Sequence, residues 1–330
     1  MVQKQKKIKF PSELRFDLVS KDWVVIATGR AKKPGMFKRE KRGEPEVLEK
    51  DCPFCNLETQ EKPLIVFKNT VVIPNKFPAF LPHPDLDKKI EGNLYETMNA
   101  VGFCELVVTK DHKESLALLP QEYVKEVIDS YHARYLDLMK KKFINYISIF
   151  HNHGAGAGAS QPHPHSQIIT TPLIDVDLQK ALLNSERYFE KNKKCLYCEM
   201  NEWERKIKKR IIFENEDFVV LCPFASKAAF EIIISPKNHL PYFERINEKE
   251  KQQLAEAFKM ALNKLYKGLA DPAYNFYLHT APCDGKDHSY YHWHWTIIPK
   301  TGTWAGFELG ARMEISTIEP EKAAAYLRKQ

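Results

Sequence analysis

No apolar run in this 330-residue chain approaches the roughly 20 residues that a membrane-crossing helix needs, so no membrane partner is expected. The basic opening "MVQKQKKIKF" lacks the apolar core and small-residue cleavage site of a secretory signal. A cytoplasmic location is therefore expected. The chain has no G-x-x-x-x-G-K-[ST] segment, which removes the commonest phosphate-binding loop. Cysteine is scarce, at seven residues, and four of these form two C-x-x-C pairs. Without an export signal such pairs point to metal rather than to disulfides. A thioredoxin-like redox pair is the competing reading, but neither pair opens a helix after a strand as that motif requires.

What is present is ordinary in bulk and specific in detail. Hydrophobic content of 43% and charged content of 28% are those of a globular protein. A net charge of +7 would suit an anionic ligand, and nucleic acid is the large one to consider. The lysines, however, are scattered and mostly flanked by acids ("KRGE", "KIKKR"), as on a solvated surface, so nucleic acid is not expected as a partner.

The two halves of the chain read alike. Cys52/Cys55 and Cys195/Cys198 are each followed by an alternating apolar run, "IVFKNTVVIP" and "IIFENEDFVVL". Next come "CELVVTKDH", ending at His112, and "EIIISPKNH", ending at His239. Each leads into a segment with helical periodicity. Val124, Val127, Ile128, Tyr131, Tyr135 and Leu138 recur at i, i+3, i+4, as do Leu254, Phe258, Ala261, Leu262 and Leu265. Strands "YISIFHN" and "YNFYLHT" follow, then loops, then "HPHSQII" and "HWHWTII". His239 stands 127 residues after His112, and His292 stands 129 after His163. A duplicated strand–strand–helix–strand–strand unit predicts an α+β fold with antiparallel sheets and packed helices. "HPDLDKKIEGN" and "DVDLQKALLNSERYFEKNKK" read as connecting segments.

The repeat also selects the metal ligands. A zinc site needs four borderline or soft donors, and a thiolate pair is the usual start. Cys52, Cys55, His112 and His163 form one set, and Cys195, Cys198, His239 and His292 form its counterpart. Closed Cys2His2 sites would be structural, with zinc as the expected cofactor, one site in each half. A zinc-stapled nucleic-acid binder is the alternative outside enzymology, although "DCPFCNLETQE" is acidic where a knuckle for nucleic acid would be basic.

With His163 assigned to metal, His165 is left beside it. On an extended segment His163, His165 and Gln167 share a face, and Pro162 and Pro164 favour that extension. The preceding loop "GAGAGAS" brings backbone N–H groups within reach of an anion. Gly154, Gly156 and Ala159 satisfy G-x-G-x-x-A only formally, because a Pro-containing strand follows rather than a helix. A neutral imidazole is a competent nucleophile near neutral pH. The arrangement predicts a loop that holds phosphate while His165 attacks it, with Gln167 donating to the same group.

These residues resemble a known family. "HNHGAGAGASQPHPHSQI" is similar to the active-site segment of galactose-1-phosphate uridylyltransferases, the nucleotidyltransferase branch of the histidine-triad superfamily. "ELRFDLVSKDWVVIATGRAKKPG", "CPFC" and "GFELG" resemble its opening strands, first zinc pair and sugar-binding segment. The resemblance implies two tandem histidine-triad-like halves, taken here as residues 1–183 with the HPH motif and 184–330 with the second metal site. It implies a homodimer acting on a nucleotide sugar and a sugar 1-phosphate. The implied reaction is ping-pong transfer through a covalent nucleotidyl-histidine at His165. By the same resemblance, Asn152 and Ser160 contact phosphate, Arg30 and Lys33 lie near the phosphates, Asn75 contacts the base, and Phe307 and Glu308 meet the sugar.

The expected activity is UDP-glucose:galactose-1-phosphate uridylyltransferase. An ADP-glucose:phosphate adenylyltransferase or a diadenosine-polyphosphate phosphorylase is the alternative, because Ser166 and Ala159 resemble the ADP-glucose branch. The second half lacks the glycine loop, so His294, the counterpart of His165, is expected not to be catalytic. Ala181 stands where some members place a glutamate for a second metal, which leaves that metal to the Cys195/Cys198 set.

Overall fold

The computed structural model describes residues 12–27, 37, 47–55, 57 and 62–330, so Arg30 and Lys33 lie outside the described residues. In chain order the strands of the first half are β1 (Glu13–Phe16), β2 (Trp23–Ile26), β3 (Ile65–Val66), β4 (Thr70–Pro74), β5 (Lys89–Glu91), β6 (Tyr95–Thr97) and β7 (Cys104–Thr109). Helix α1 (Gln121–Leu138) precedes β8 (Tyr146–His153) and β9 (His165–Thr171). Two helices follow, α2 (Val176–Asn192) and α3 (Leu196–Ile207). The second half continues with β10 (Ile211–Glu214), β11 (Phe218–Leu221), β12 (Ile232–Pro236), α4 (Glu248–Leu269), β13 (Tyr274–His279) and β14 (His294–Pro299). Helix α5 (Gly306–Ala311), β15 (Ile315–Ser316) and α6 (Pro320–Leu327) close the chain.

Ten strands form one sheet, in the order β10-β11-β12-β14-β13-β8-β9-β7-β4-β3. Read outward from its centre, β8-β9-β7-β4-β3 mirrors β13-β14-β12-β11-β10, which is the duplication legible in the sequence. Neighbours in this sheet are antiparallel, including the central β8–β13 pair that joins the halves through Tyr274↔His153 and Tyr277↔Phe150.

Side chains alternate across the sheet. Val107, Ile149, Ile168, Ile234, Phe276 and Trp295 face the main core, under the apolar stripes of α1 and α4. The predicted i, i+3, i+4 residues of both helices are buried there. A capping box starts α4: Asn247 accepts from the Glu250 N–H, and the Glu250 carboxylate accepts from the Asn247 N–H. In the first half a buried ion pair ties α1 to β7, with Arg134 Nε and Nη2 each 2.7 Å from Glu105. The register of the repeat places Ile232 and Ala261 at the matching positions of the second half, where the contact is apolar.

The opposite face of the sheet differs between halves. The segment read as a connector, "DVDLQKALLNSERYFEKN", is largely the 17-residue helix α2, started by Asp175 accepting from the Leu178 N–H. With α3 it covers the second half. The other connector contains the exposed β5–β6 hairpin. A small sheet, β1-β2-β15, sets the chain's end against its beginning, and Arg15 bonds Glu321 at 3.0 and 3.1 Å. No helix among the described residues is long and apolar enough to cross a membrane.

Candidate active site

The C-x-x-C segment, the end of β7 and the start of β9 converge in the first half. Cys52, Cys55, His112 and His163 place their donor atoms within 4.8 Å of one another. Sulfur–nitrogen distances are 3.0 Å for Cys55–His112, 3.4 Å for Cys52–His163 and 3.6 Å for Cys55–His163. A tetrahedron with metal–ligand bonds of about 2.0–2.3 Å has edges of about 3.5 Å, so the donors already stand at its corners. In both histidines Nδ1 faces the sulfurs, while Nε2 lies against a carbonyl oxygen: Val47 O for His112 (2.7 Å) and Thr109 O for His163 (2.6 Å). A carbonyl only accepts, so each Nε2 carries the proton and each Nδ1 presents a lone pair. Burial, then the adjacent Cys52 thiol, pushes the Cys55 thiol up to about 11. A dication is what would make both sulfurs thiolates together.

The second half repeats the arrangement. Cys195, Cys198, His239 and His292 also lie within 4.8 Å, with Cys198 Sγ 3.5 Å from Nδ1 of both histidines. Their Nε2 atoms sit 2.7 Å from Ser289 O and 3.0 Å from Pro236 O. Cys195 ends just before α3 begins, but the preceding element is α2 rather than a strand, unlike a thioredoxin-type site. Hydrogen bonding from Cys198 holds the Cys195 thiol low, and Cys198 itself is pushed up by holding the proton. Both sets therefore fit a closed four-coordinate metal.

His165 opens β9, two residues beyond His163, and is buried. Its Nδ1 lies 2.9 Å from the His163 carbonyl, which must accept the Nδ1 proton. Nε2 is thereby left with the lone pair. Burial holds the imidazole below its usual pKa, opposed by the bond to the His163 carbonyl, so the neutral form is favoured. Phe54, between the two cysteines, packs on the ring with centroids 4.9 Å apart. One backbone unit at His163 thus links the metal cluster to the orientation of His165.

Behind β9, on the core side, Ser166 Oγ bridges Tyr131 Oη (2.5 Å) and His151 Nδ1 (3.0 Å). His151 in turn stacks on Phe276 at 4.9 Å. The glycine loop follows β8 as a tight turn, Ala155–Ala157, set between Gly154 (φ 77°) and Gly158 (φ 84°). Those angles disfavour any side chain with a Cβ. Asn275 of β13 braces the loop, its Nδ2 donating to Asn152 Oδ1 (2.7 Å) and to Ala157 O (2.8 Å). His153 bonds Asp271 at 2.9 Å.

Asn152 and Gln167 lie on the open face of adjacent strands with His165, and Ser160 is exposed at the end of the loop. Asn75 follows β4, its N–H donating to Cys104 O and its Oδ1 accepting from the Phe77 N–H. Phe307 and Glu308 stand apart on exposed α5, where Glu308 accepts from the Ala305 N–H. Phe54 and Asn275 were not singled out in the sequence, Tyr131 was read there only as part of a helical apolar stripe, and no role was expected of His151. Phe54 carried a signal, as the residue enclosed by the cysteine pair.

Profiles of galactose-1-phosphate uridyl transferase match the chain over both parts, the N-terminal domain at residues 2–175 and the C-terminal domain at 182–327. The ADP-glucose phosphorylase of Arabidopsis thaliana is 32% identical over 96% of this chain and 92% of its own length. The galactose-1-phosphate uridylyltransferase of Thermotoga maritima is 28% identical over 96% and 98%. Among solved structures, the Arabidopsis thaliana ADP-glucose phosphorylase with bound ADP-glucose superposes with TM-score 0.79 at 29% identity, covering 97% of this chain and 98% of that one. A uridylyltransferase does so with TM-score 0.76 at 27% identity, covering 96% and 97%. The duplicated α+β sheet, the paired Cys2His2 clusters and the histidine beside a glycine loop come together with these matches: the chain belongs to the galactose-1-phosphate uridylyltransferase family, as a nucleotidyltransferase or phosphorylase of its superfamily.

Proposed function

We propose that this protein moves a nucleoside monophosphate from a nucleoside-diphosphate hexose to a phosphate-bearing acceptor through His165. The observation that carries the reading is the 2.9 Å contact between His165 Nδ1 and the His163 carbonyl, which leaves Nε2 as the attacking atom. In the first half-reaction Nε2 bonds to the α-phosphorus and the bond to the departing sugar 1-phosphate breaks. The new cationic imidazole keeps its Nδ1 proton, stabilised by the His163 carbonyl. Gln167, Asn152 and the backbone of 154–160 donate to the non-bridging oxygens as charge builds. In the second half-reaction the acceptor's phosphate oxygen attacks, and Nε2 leaves with its lone pair restored. Two displacements at one site let one set of donors serve both.

Zinc is the metal assigned to both Cys2His2 sets. There it would staple loop to strand as a closed structural ion and, in the first half, fix the carbonyl behind His165.

The donor assigned first is ADP-glucose, with phosphate as acceptor. This is supported by Ser166 and Ala159 and by the 32% identity to the Arabidopsis thaliana ADP-glucose phosphorylase. It reverses the order in which the sequence placed the two. The UDP-glucose and galactose 1-phosphate pair is the second reading, favoured by the 28% identity to the Thermotoga maritima enzyme. Incubation with each donor, without acceptor, followed by intact-mass measurement separates them. Mass gained as AMP supports the first, mass gained as UMP the second, and either gain should vanish in His165→Ala. No adduct with either donor would sink the reading.

A further inference from the structure

We propose that the second half holds a second small-molecule site, a roofed cavity that takes an uncharged nucleoside. The cavity measures about 390 Å³, within the roughly 300–1,000 Å³ of small-molecule sites. Its floor is the counterpart of the catalytic face. Strand register pairs Phe150 with Gln167 in one half and Tyr277 with Thr296 in the other. The same correspondence sets His294 where His165 stands and His279 where Asn152 stands. All four second-half residues line the cavity.

The roof is peculiar to this half. Leu178 and Ala181 of α2 and Tyr197 and Met200 of α3 close over the floor, and the turn after β1 completes the wall. Two buried polar groups face the enclosed space. His294 turns Nδ1 to the His292 carbonyl at 3.3 Å, which leaves Nε2 as an acceptor. Glu231, only 6% exposed, uses Oε2 for the Lys227 and Ala228 N–H groups. Among the described residues no hydrogen bond is made to His294 Nε2 or to Glu231 Oε1. Acceptors that open onto an enclosed cavity suit a ligand with donors, and a nucleoside brings several in its amino, imino and hydroxyl groups.

A phosphate is disfavoured there. The segment between β13 and β14, residues 280–293, has the single glycine Gly285 in place of the three at 154, 156 and 158. Asp17 and Asp177 line the cavity against Lys227, while Glu204 and Arg210 neutralise each other as a buried pair. Tyr277 and the stacked His279/His294 rings, 4.8 Å apart, offer flat apolar surface to a base. The nucleoside class rests on the nucleotidyl-transfer reading of the first half, whereas the cavity and its unmatched acceptors do not.

The test is isothermal titration of the full-length His165→Ala protein with adenosine, and separately with uridine, in the presence of saturating ADP-glucose and UDP-glucose. The sugar nucleotides occupy the catalytic face and cannot turn over. One nucleoside site per chain should survive, and Ala181→Phe from the roof or Ile233→Phe from the floor should weaken it at least ~10-fold, about 1.4 kcal/mol. AMP should bind this site at least ~10-fold more weakly than adenosine, through repulsion from the carboxylates. The proposal is overturned if no nucleoside site survives saturation, if both filled variants bind like the parent, or if AMP binds as well as adenosine. Should His165→Ala retain full transfer in the mass experiment, the proposed function fails while the titration still decides the cavity.

Discussion

The two halves share a sheet, a packed helix and a Cys2His2 cluster, yet only one leaves its histidine strand open. In the first half the open face carries His165, Gln167 and Asn152 beside a glycine loop; in the second, α2 and α3 roof the same positions. The shared parts are those that hold strand ends in register. The parts that differ, loop and roof, decide what each histidine strand faces: a glycine loop in one half and an enclosed cavity in the other. The paired Cys2His2 clusters thus belong to the shared scaffold, and the halves part company in what lies over the histidine strand.

The largest expected effect tests the scaffold. Structural zinc contributes on the order of 10 kcal/mol to folding. Cys52→Ser and Cys195→Ser should each lose the metal of their own half alone, read by elemental analysis, with a clear fall in Tm. Only Cys52→Ser should also lower transfer per folded molecule, because His163 carries the carbonyl behind His165. A metal content equal to the parent's would refute the ligand set, and equal rate losses in the two variants would erase the contrast between halves.

The proposed nucleophile comes next. His165→Ala should reduce nucleotidyl transfer by about 10⁴-fold or more, whereas His294→Ala should leave the rate within about threefold. Single-turnover kinetics on both variants would break the comparison if the losses were alike.

A third contrast concerns how each helix meets its sheet. Removing one partner of a buried ion pair costs about 3–5 kcal/mol, which Arg134→Ala should show in denaturant unfolding. Glu105→Ile combined with Arg134→Ala copies the apolar second-half contact and should recover most of that loss. If the double variant were no better than the single one, the halves would not be interchangeable at this layer.

The smallest effect sharpens the boundary between halves. Asn275→Ala removes one bond to Asn152 of β8 and one to the glycine loop at Ala157, each worth about 1 kcal/mol, and should slow transfer ~10-fold with metal content kept and only a small fall in Tm. An unchanged rate would confine the active site to its own half.

The periodic features were legible. Apolar residues at i, i+3, i+4 gave α1 and α4, and repeated Cys and His spacings gave both clusters, because duplication writes the same local pattern twice. Asn275 could not be read, since nothing near it in sequence marks a residue that braces a loop 118 positions earlier. Helix α2 read as a connector because it is polar on average, and only Leu178, Ala181, Leu182 and Ser185 are buried. Its function as a roof comes from tertiary placement, which local pattern does not encode.

The central β8–β13 pairing sets an order of events in synthesis. Strand β8 carries Asn152 and leads into the glycine loop; β9 pairs with one of its edges, but the partner of its other edge, β13, emerges more than a hundred residues later. Until then the nascent first half presents an unpaired, apolar edge strand, which is an invitation to pair with another chain. A first half made alone should therefore be prone to aggregate, and the ribosome must deliver β13 before the neighbourhood of His165 is braced.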